Sequence, residues 1–246
     1  MALREELEKQ GNRLFRWRSY LPLFLIGIMF IGLRHFEYPG HRHFMDQVWE
    51  ILCIIVAFFG LGIRVLTIGY TPKNTSGRNT SQQIADTLNI TGMYSIVRHP
   101  LYVGNFFCWL GISLFVRLWW ISLLIILVFW LYYERIIFAE EEYLRRKFGE
   151  QYEQWANTVP AFIPRIAQWI PPTLTFSLKN VLKREYSGLF AIITSFTALE
   201  ILGDIIAEGQ LEIDLMWMSL FAIGLLIYIV LRLLKKKTNI LHVDGR

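Results

Sequence analysis

The chain has 246 residues, 54% of them hydrophobic, and a mean hydropathy of +0.38. Water-soluble domains of this length seldom carry so apolar a composition, and here the apolar residues fall in blocks approaching the roughly 20 residues that cross a bilayer. The net charge of +5 fits membrane orientation rather than nucleic acid, and the two cysteines, Cys53 and Cys108, exclude a disulfide framework and a Cys-x-x-Cys metal site.

Residues 1–18 are charged and read as an amphipathic or interfacial helix. The first apolar block, Tyr20–Leu33, follows this charged stretch and has no small-residue cleavage site after it, so it is expected to be a retained helix rather than a signal peptide. It is short, with Arg18 and Arg34 placed to snorkel at its ends. A second span is expected over Val48–Tyr70, with Glu50 at one edge and Arg64 well inside. A polar loop rich in Asn, Thr and Ser covers 71–91. From Leu101 to Tyr133 only Arg117 is charged, and one straight helix of that length would exceed the bilayer. Two short helices turning near Arg117 are expected, anchored by Trp119 and Trp120. Residues 134–185 are polar and amphipathic, and two further spans follow over Tyr186–Ile206 and Ile213–Leu231.

The expected fold is therefore an all-α integral membrane protein of about six transmembrane helices. A single membrane domain covers 1–246, with a motif region at 90–165 and an additional C-terminal transmembrane hairpin at 186–234. Six spans place both termini on one side. Of the 25 Lys and Arg residues, 21 lie on that side, 3 on the other, and Arg64 within a span. This asymmetry puts both termini in the cytosol. The sequons at Asn74, Asn79 and Asn89 are then cytosolic and carry no glycan.

Two stretches carry chemistry. The first is Gly92-Met93-Tyr94-Ser95-Ile96-Val97-Arg98-His99-Pro100-Leu101-Tyr102-Val103-Gly104, where the cytosolic loop enters the third span. Proline in a first helical turn is a helix-start signal, so Arg98 and His99 lie at a helix N-terminus, whose free N–H groups and dipole favour an anion. By itself the stretch reads equally as an interfacial helix start with snorkelling Arg and His and a belt Tyr. The second is Glu140-Glu141-Glu142-Tyr143-Leu144-Arg145-Arg146-Lys147-Phe148-Gly149-Glu150-Gln151-Tyr152, leaving the fourth span on the same face. Its carboxylates suit ribose hydroxyls, an ammonium group or a sulfonium environment. By itself it also reads as a solvated helix with i,i+4 pairs such as Glu141 with Arg145.

Together the stretches, Gly-x-Tyr-x-x-x-Arg-His-Pro-x-Tyr-x-Gly and Glu-Glu-x-x-Leu-x-x-x-Phe-Gly-x-x-Tyr, resemble the isoprenylcysteine carboxyl methyltransferase and phospholipid methyltransferase superfamily. Val159-Pro160-Ala161-Phe162-Ile163-Pro164 is also similar to this family. The resemblance implies a small helical membrane enzyme that uses S-adenosylmethionine, bound between the Arg-His-Pro helix start and the Glu-Glu segment. It implies Tyr94, His99, Pro100, Tyr102, Gly104, Glu140 and Glu141 as cofactor-binding residues, with Arg98 and Glu141 as catalytic candidates and Arg98 holding an anionic group. The methyl acceptor is a lipid or lipophilic small molecule, met at a cytosol-facing site. The membrane is the inner or plasma membrane in a bacterium and the endoplasmic reticulum in a eukaryote. In the prenylcysteine enzyme the paired motif lies near the C-terminus; here about 80 residues follow it, which points to another lipophilic acceptor.

Other features read as follows. Gly60-x-Gly62 suits close helix packing. Glu200 and Asp204, at i,i+4 in the outer part of the fifth span, suit interfacial snorkelling or a pocket or helix-packing role. Arg64 suits a lipid phosphate, a carboxylate or an ion pair. His41-x-His43 with His35 lacks zinc spacing, so no metal is expected. Lys235-Lys236-Lys237 is a positive-inside stop that attracts anionic head groups. A membrane sterol-type reductase using NADPH carries a similar Arg-x-Pro-Asn-Tyr-x-Gly-Glu segment, but here Leu101 and Asn105 stand in place of its Asn and Glu. A non-enzymatic polytopic protein is the third alternative, and the inverted repeats and interrupted helices of transporters are not evident.

Overall fold

The structure is a computed structural model that describes residues 2–33, 43–75, 83–209 and 214–246. Among these residues the regular structure is wholly helical: α1 (Leu3–Trp17), α2 (Leu21–Leu33), α3 (His43–Gly69), α4 (Met93–Ile96), α5 (Pro100–Phe115), α6 (Trp119–Phe148), α7 (Glu150–Thr158), a 3-10 turn at Ile166–Gln168, α8 (Leu178–Glu208) and α9 (Leu215–Lys237).

Four helices, α3, α6, α8 and α9, are long and apolar enough to cross a membrane, and a fifth span results if α1 and α2, bent by 80°, count as one. The other two of the six expected spans are shorter. At 1.5 Å per residue, α2 with 13 residues reaches about 20 Å and α5 with 16 about 24 Å, less than the roughly 30 Å hydrocarbon core. By the same arithmetic α6, with 30 residues, is about 45 Å long. Its last turns, with the Glu-Glu segment, therefore project beyond the apolar layer.

The break between α5 and α6 falls where the single charge interrupts the apolar run. Arg117 has φ 63°, a left-handed conformation in a residue that is neither Gly nor Asn. Its buried guanidinium lies 3.4 Å from Glu50 of α3, so a cross-helix ion pair holds the turn that no Gly or Pro supplies. Asp204 is buried at the same end of the protein rather than at its surface, which favours the packing reading over snorkelling.

The core runs along the helix seams, through Leu25 and Met29 of α2, Ala57 of α3, Ile112 and Phe115 of α5, Ile121 and Ile125 of α6, and Phe196 of α8. The closest seam joins α3 and α5. A Cβ on Gly104 would stand 2.8 Å from the Gly60 carbonyl oxygen, so these backbones touch only because both positions lack a side chain. Gly62 meets nothing, and only the first glycine of Gly60-x-Gly62 serves packing. The C-terminal hairpin is no appendage on one side of the bundle: α8 packs on both α3 and α5. In contrast, α9 buries Trp217 and Gly224 and turns Ile223 and Leu226 outward. His35 and His41 lie outside the described residues, and among the described ones no group of three His, Cys, Asp or Glu side chains gathers to hold a metal.

Candidate active site

The local sequence explains how the first motif is held. Met93–Ile96 makes one turn of helix, Val97 is extended, and Pro100 starts α5 with His99 as its N-cap residue. Proline fits there because the first helical N–H has no partner within the helix. This irregular backbone needs partners elsewhere. The Val159–Pro164 segment and its continuation supply them. Arg98 N donates to Pro160 O at 2.9 Å, Arg165 N to Ile96 O at 3.0 Å, Gly92 N to Ile170 O at 2.8 Å, and Ile170 N to Ser95 Oγ at 2.9 Å. Trp155 Nε1 donates to Tyr94 O at 3.1 Å. The chain after the Glu-Glu segment thus braces the stretch before α5.

The second motif uses the rotation of a helix. Three successive carboxylates, about 100° apart around α6, meet three different sets of neighbours. Glu140 accepts a hydrogen bond from the Tyr102 hydroxyl at 2.8 Å. Glu141 Oε1 lies 2.8 Å from His99 Nε2 and 3.2 Å from Arg98 Nε. Glu142 is buried and bonds Arg145 at 2.7 Å and, across to α1, Arg4. The expected i,i+4 pair of Glu141 with Arg145 does not form, because Glu141 is turned toward α5 and Arg145 pairs with Glu142 instead. Gly149, at φ 53°, ends α6 and lets α7 swing Tyr152 back beneath Glu141. Tyr152 is fully buried beside that carboxylate without a well-directed hydrogen bond. Burial, and next the Glu141 charge, hold its phenol above the usual range.

These contacts frame a cleft of about 220 Å³. Tyr94, Arg98, His99, Pro100, Tyr102 and Glu140 line it. Two expected site residues do not. Glu141 stands behind Arg98 and His99, holding both, and Gly104 faces Arg64 and Gly60 in the helix seam. His99 is buried and stacks on Tyr102, with ring centroids 5.8 Å apart, while Tyr102 meets Tyr133 at 4.9 Å.

Several cleft residues lie outside the two motifs. Phe15 and Arg18 come from the end of α1, which is clamped to α6 through Arg4–Glu142, Arg146–Glu8 and a 2.7 Å bond from Tyr132 to Leu14 O. Arg64, Arg184 and Glu185 come from α3 and α8. The loop after residue 82 supplies Gln83 and Asn89, whose side-chain amide nitrogens are buried without a hydrogen-bond partner. Buried polar groups are nearly always paired, so these two N–H groups have donor capacity left for a ligand. The sequence offered one sign of this reach: Arg64 is a charge inside an apolar span.

The chain matches the family model described as phospholipid methyltransferase over residues 48–151. It is 29% identical over 158 residues to the nickel-cobalt-cadmium resistance protein NccN of Alcaligenes xylosoxydans xylosoxydans, covering 63% of this chain and 66% of that protein. It is 43% identical over 125 residues to the protein-S-isoprenylcysteine O-methyltransferase of Schizosaccharomyces pombe, covering 50% and 53%. To the protein-S-isoprenylcysteine O-methyltransferase B of Arabidopsis thaliana it is 35% identical over 155 residues, covering 60% and 74%. No solved structure matches.

Proposed function

The chain belongs to the isoprenylcysteine carboxyl methyltransferase and phospholipid methyltransferase superfamily, and we propose that it transfers a methyl group from S-adenosylmethionine to a lipophilic acceptor at the cytosolic face of its membrane. The observation that carries this reading is the meeting of the two motif stretches, 38 and 42 residues apart in sequence, through Tyr102–Glu140 and His99–Glu141 at one cleft.

The groups around the cleft fit such a donor. Arg98 and the start of α5 suit a carboxylate, and Glu140 suits hydroxyl or ammonium donors. The unpaired amides of Gln83 and Asn89 suit a ribose or an adenine edge. When bound, S-adenosylmethionine would supply an electrophilic methyl on a sulfonium, whose neutral thioether would be the leaving group once the methyl passed to the nucleophile. The chain's part is to orient the reactants in line and to keep water out. Glu141 does this at one remove, by fixing Arg98 and His99. No general base is needed for a carboxylate, phosphate or thiolate acceptor, whereas a protonated amine first loses its proton.

The topology supports access for both reactants. In a six-span arrangement 21 of the 25 basic residues lie on the motif side, which supports a cytosolic motif face where a soluble donor arrives, while the apolar faces of the helices adjoin the acceptor's own phase. Calorimetry on the full chain in detergent tests the reading: S-adenosylmethionine and its demethylated product bind with micromolar-range affinity and NADPH does not. Binding of NADPH alone contradicts it and favours a reductase.

A further inference from the structure

Beneath the motif residues the cleft has a second polar layer. Arg64 lies five residues from the end of α3, Asn105 five into α5, Tyr133 seven before Glu140 on α6, and Glu185 seven into α8. Each is thus about 8–10 Å of helix further in than the motif residues. Glu185 grips Arg64 with both oxygens, at 2.7 Å from Nε and 2.8 Å from Nη2. The third arm, Nη1, donates to Asn105 Oδ1 at 2.5 Å, and Asn105 reaches the Tyr133 hydroxyl at 3.4 Å. Planar bidentate pairing of this kind fixes the guanidinium in orientation as well as in place. The Arg64 and Glu185 side chains are 19% and 5% exposed.

Glu185 lies beyond residues 48–151, the region matched to the family, and on the hairpin that follows the motifs. The other charges on the cleft are Arg18, Arg98 and Arg184 with Glu140, so the walls are already rich in cations. We propose that Glu185 is a positioning residue for the methyl donor: it neutralises and fixes Arg64 at the cleft floor, so that a cationic sulfonium is accommodated there. The inference rests on the methyl-transfer reading given above. It also gives the C-terminal hairpin a part in the site.

The charge argument sets the size of the effect. Like charges separated by the roughly 8–10 Å of helix between the two polar layers, at an effective dielectric of about 20, would disfavour a cation by about fifteen- to thirtyfold if the guanidinium were unpaired. S-adenosylmethionine carries the sulfonium and S-adenosylhomocysteine does not, while the rest of the two molecules is alike. A purely structural role for Glu185 would weaken both equally.

The test is calorimetric binding of both compounds to the full chain in lipid nanodiscs. Glu185→Gln is expected to lower the affinity for S-adenosylmethionine relative to S-adenosylhomocysteine by about tenfold or more. Arg64→Met with Glu185→Met, which removes both charges, restores the wild-type ratio, and Arg64→Met alone raises it. If Glu185→Gln fails to accumulate, Arg64→Met alone decides: the Glu185 charge it leaves unpaired raises the preference for S-adenosylmethionine over S-adenosylhomocysteine severalfold, and an unchanged or lower ratio overturns the inference. Equal loss of both ligands in Glu185→Gln overturns the inference while leaving the methyl-transfer reading intact. A wild-type chain that binds neither compound removes the reading and the inference together.

Discussion

His99 and Glu141 are partners: the imidazole Nε2 of the N-cap residue of α5 lies 2.8 Å from a carboxylate near the end of α6. The same oxygen is 3.2 Å from Arg98 Nε. One carboxylate therefore sets the positions of two residues that line the cleft. Glu141→Gln keeps the shape and removes the charge that both neighbours share. Loss of a charged hydrogen-bond partner costs about 1.5–3 kcal/mol, or about ten- to hundredfold. The expected result is that loss in affinity for S-adenosylmethionine with an unchanged far-ultraviolet circular dichroism spectrum. Glu150→Gln, on an exposed position of α7, is the control and stays within about 0.5 kcal/mol.

Tyr102 separates hydrogen bonding from packing. Its hydroxyl donates to Glu140, and its ring stacks on His99 and packs at a tilt against Tyr133. Tyr102→Phe keeps the rings and removes one bond, so methyl transfer falls by about fivefold, in line with about 1 kcal/mol. Tyr102→Ala also removes the ring contacts to His99 and Tyr133, and its loss exceeds that of Tyr102→Phe by about tenfold, in line with two aromatic contacts of about 0.5–1.5 kcal/mol each. Equal turnover in the two variants would show that the ring contributes nothing.

Gly104 is a packing residue, and stability is where its replacement is felt. A Cβ there would stand 2.6 Å from Arg64 Cγ and 2.8 Å from the Gly60 carbonyl oxygen. Since one neighbour is backbone, Gly104→Ala forces α3 and α5 apart and lowers stability by about 1–3 kcal/mol. Gly62→Ala, which meets nothing within 4 Å, leaves the thermal midpoint unchanged or raises it. A thermal shift assay of both variants in detergent compares them directly.

Sidedness is open to a labelling test. Cys53 and Cys108 are buried, so the native background is low. Trp119, 77% exposed at the start of α6, and Gln151, exposed just past its end, lie at opposite ends of one crossing. In sealed cells an impermeant maleimide is expected to label Trp119→Cys and to spare Gln151→Cys until the membrane is opened. Labelling of Gln151→Cys in sealed cells would place the cleft on the outer face.

Local features of the fold were legible in sequence. The apolar runs marked α3, α8 and α9, and the lone charge at Arg117 marked the break between α5 and α6. Pro100 marked the start of α5, and the family resemblance set the two motif stretches at one site, but the direct Tyr102–Glu140 and His99–Glu141 contacts were not read from the sequence. What stayed hidden depends on contacts across the chain. Glu142 reads as one more charge in a solvated run, yet it is buried because Arg4, 138 residues away, covers it. The grip of Glu185 on Arg64 spans 121 residues, and no periodicity records it. Gly104 sits in the motif and was expected at the cofactor, but the rotation of α5 turns it onto α3. The lengths of α2 and α5 depend on where the chain bends, at residues 17–21 and at Arg117, rather than on how far the apolar composition extends.

The most direct measurement is transfer of a deuterated methyl group from S-adenosylmethionine into the lipids of membranes that hold the full chain, followed by mass spectrometry of the extract. Wild-type membranes are expected to accumulate a lipid or lipophilic species heavier by one deuterated methyl group, and Glu141→Gln membranes to accumulate at least tenfold less. Incorporation equal in wild-type membranes, Glu141→Gln membranes and membranes lacking the chain would contradict methyl transfer at this cleft.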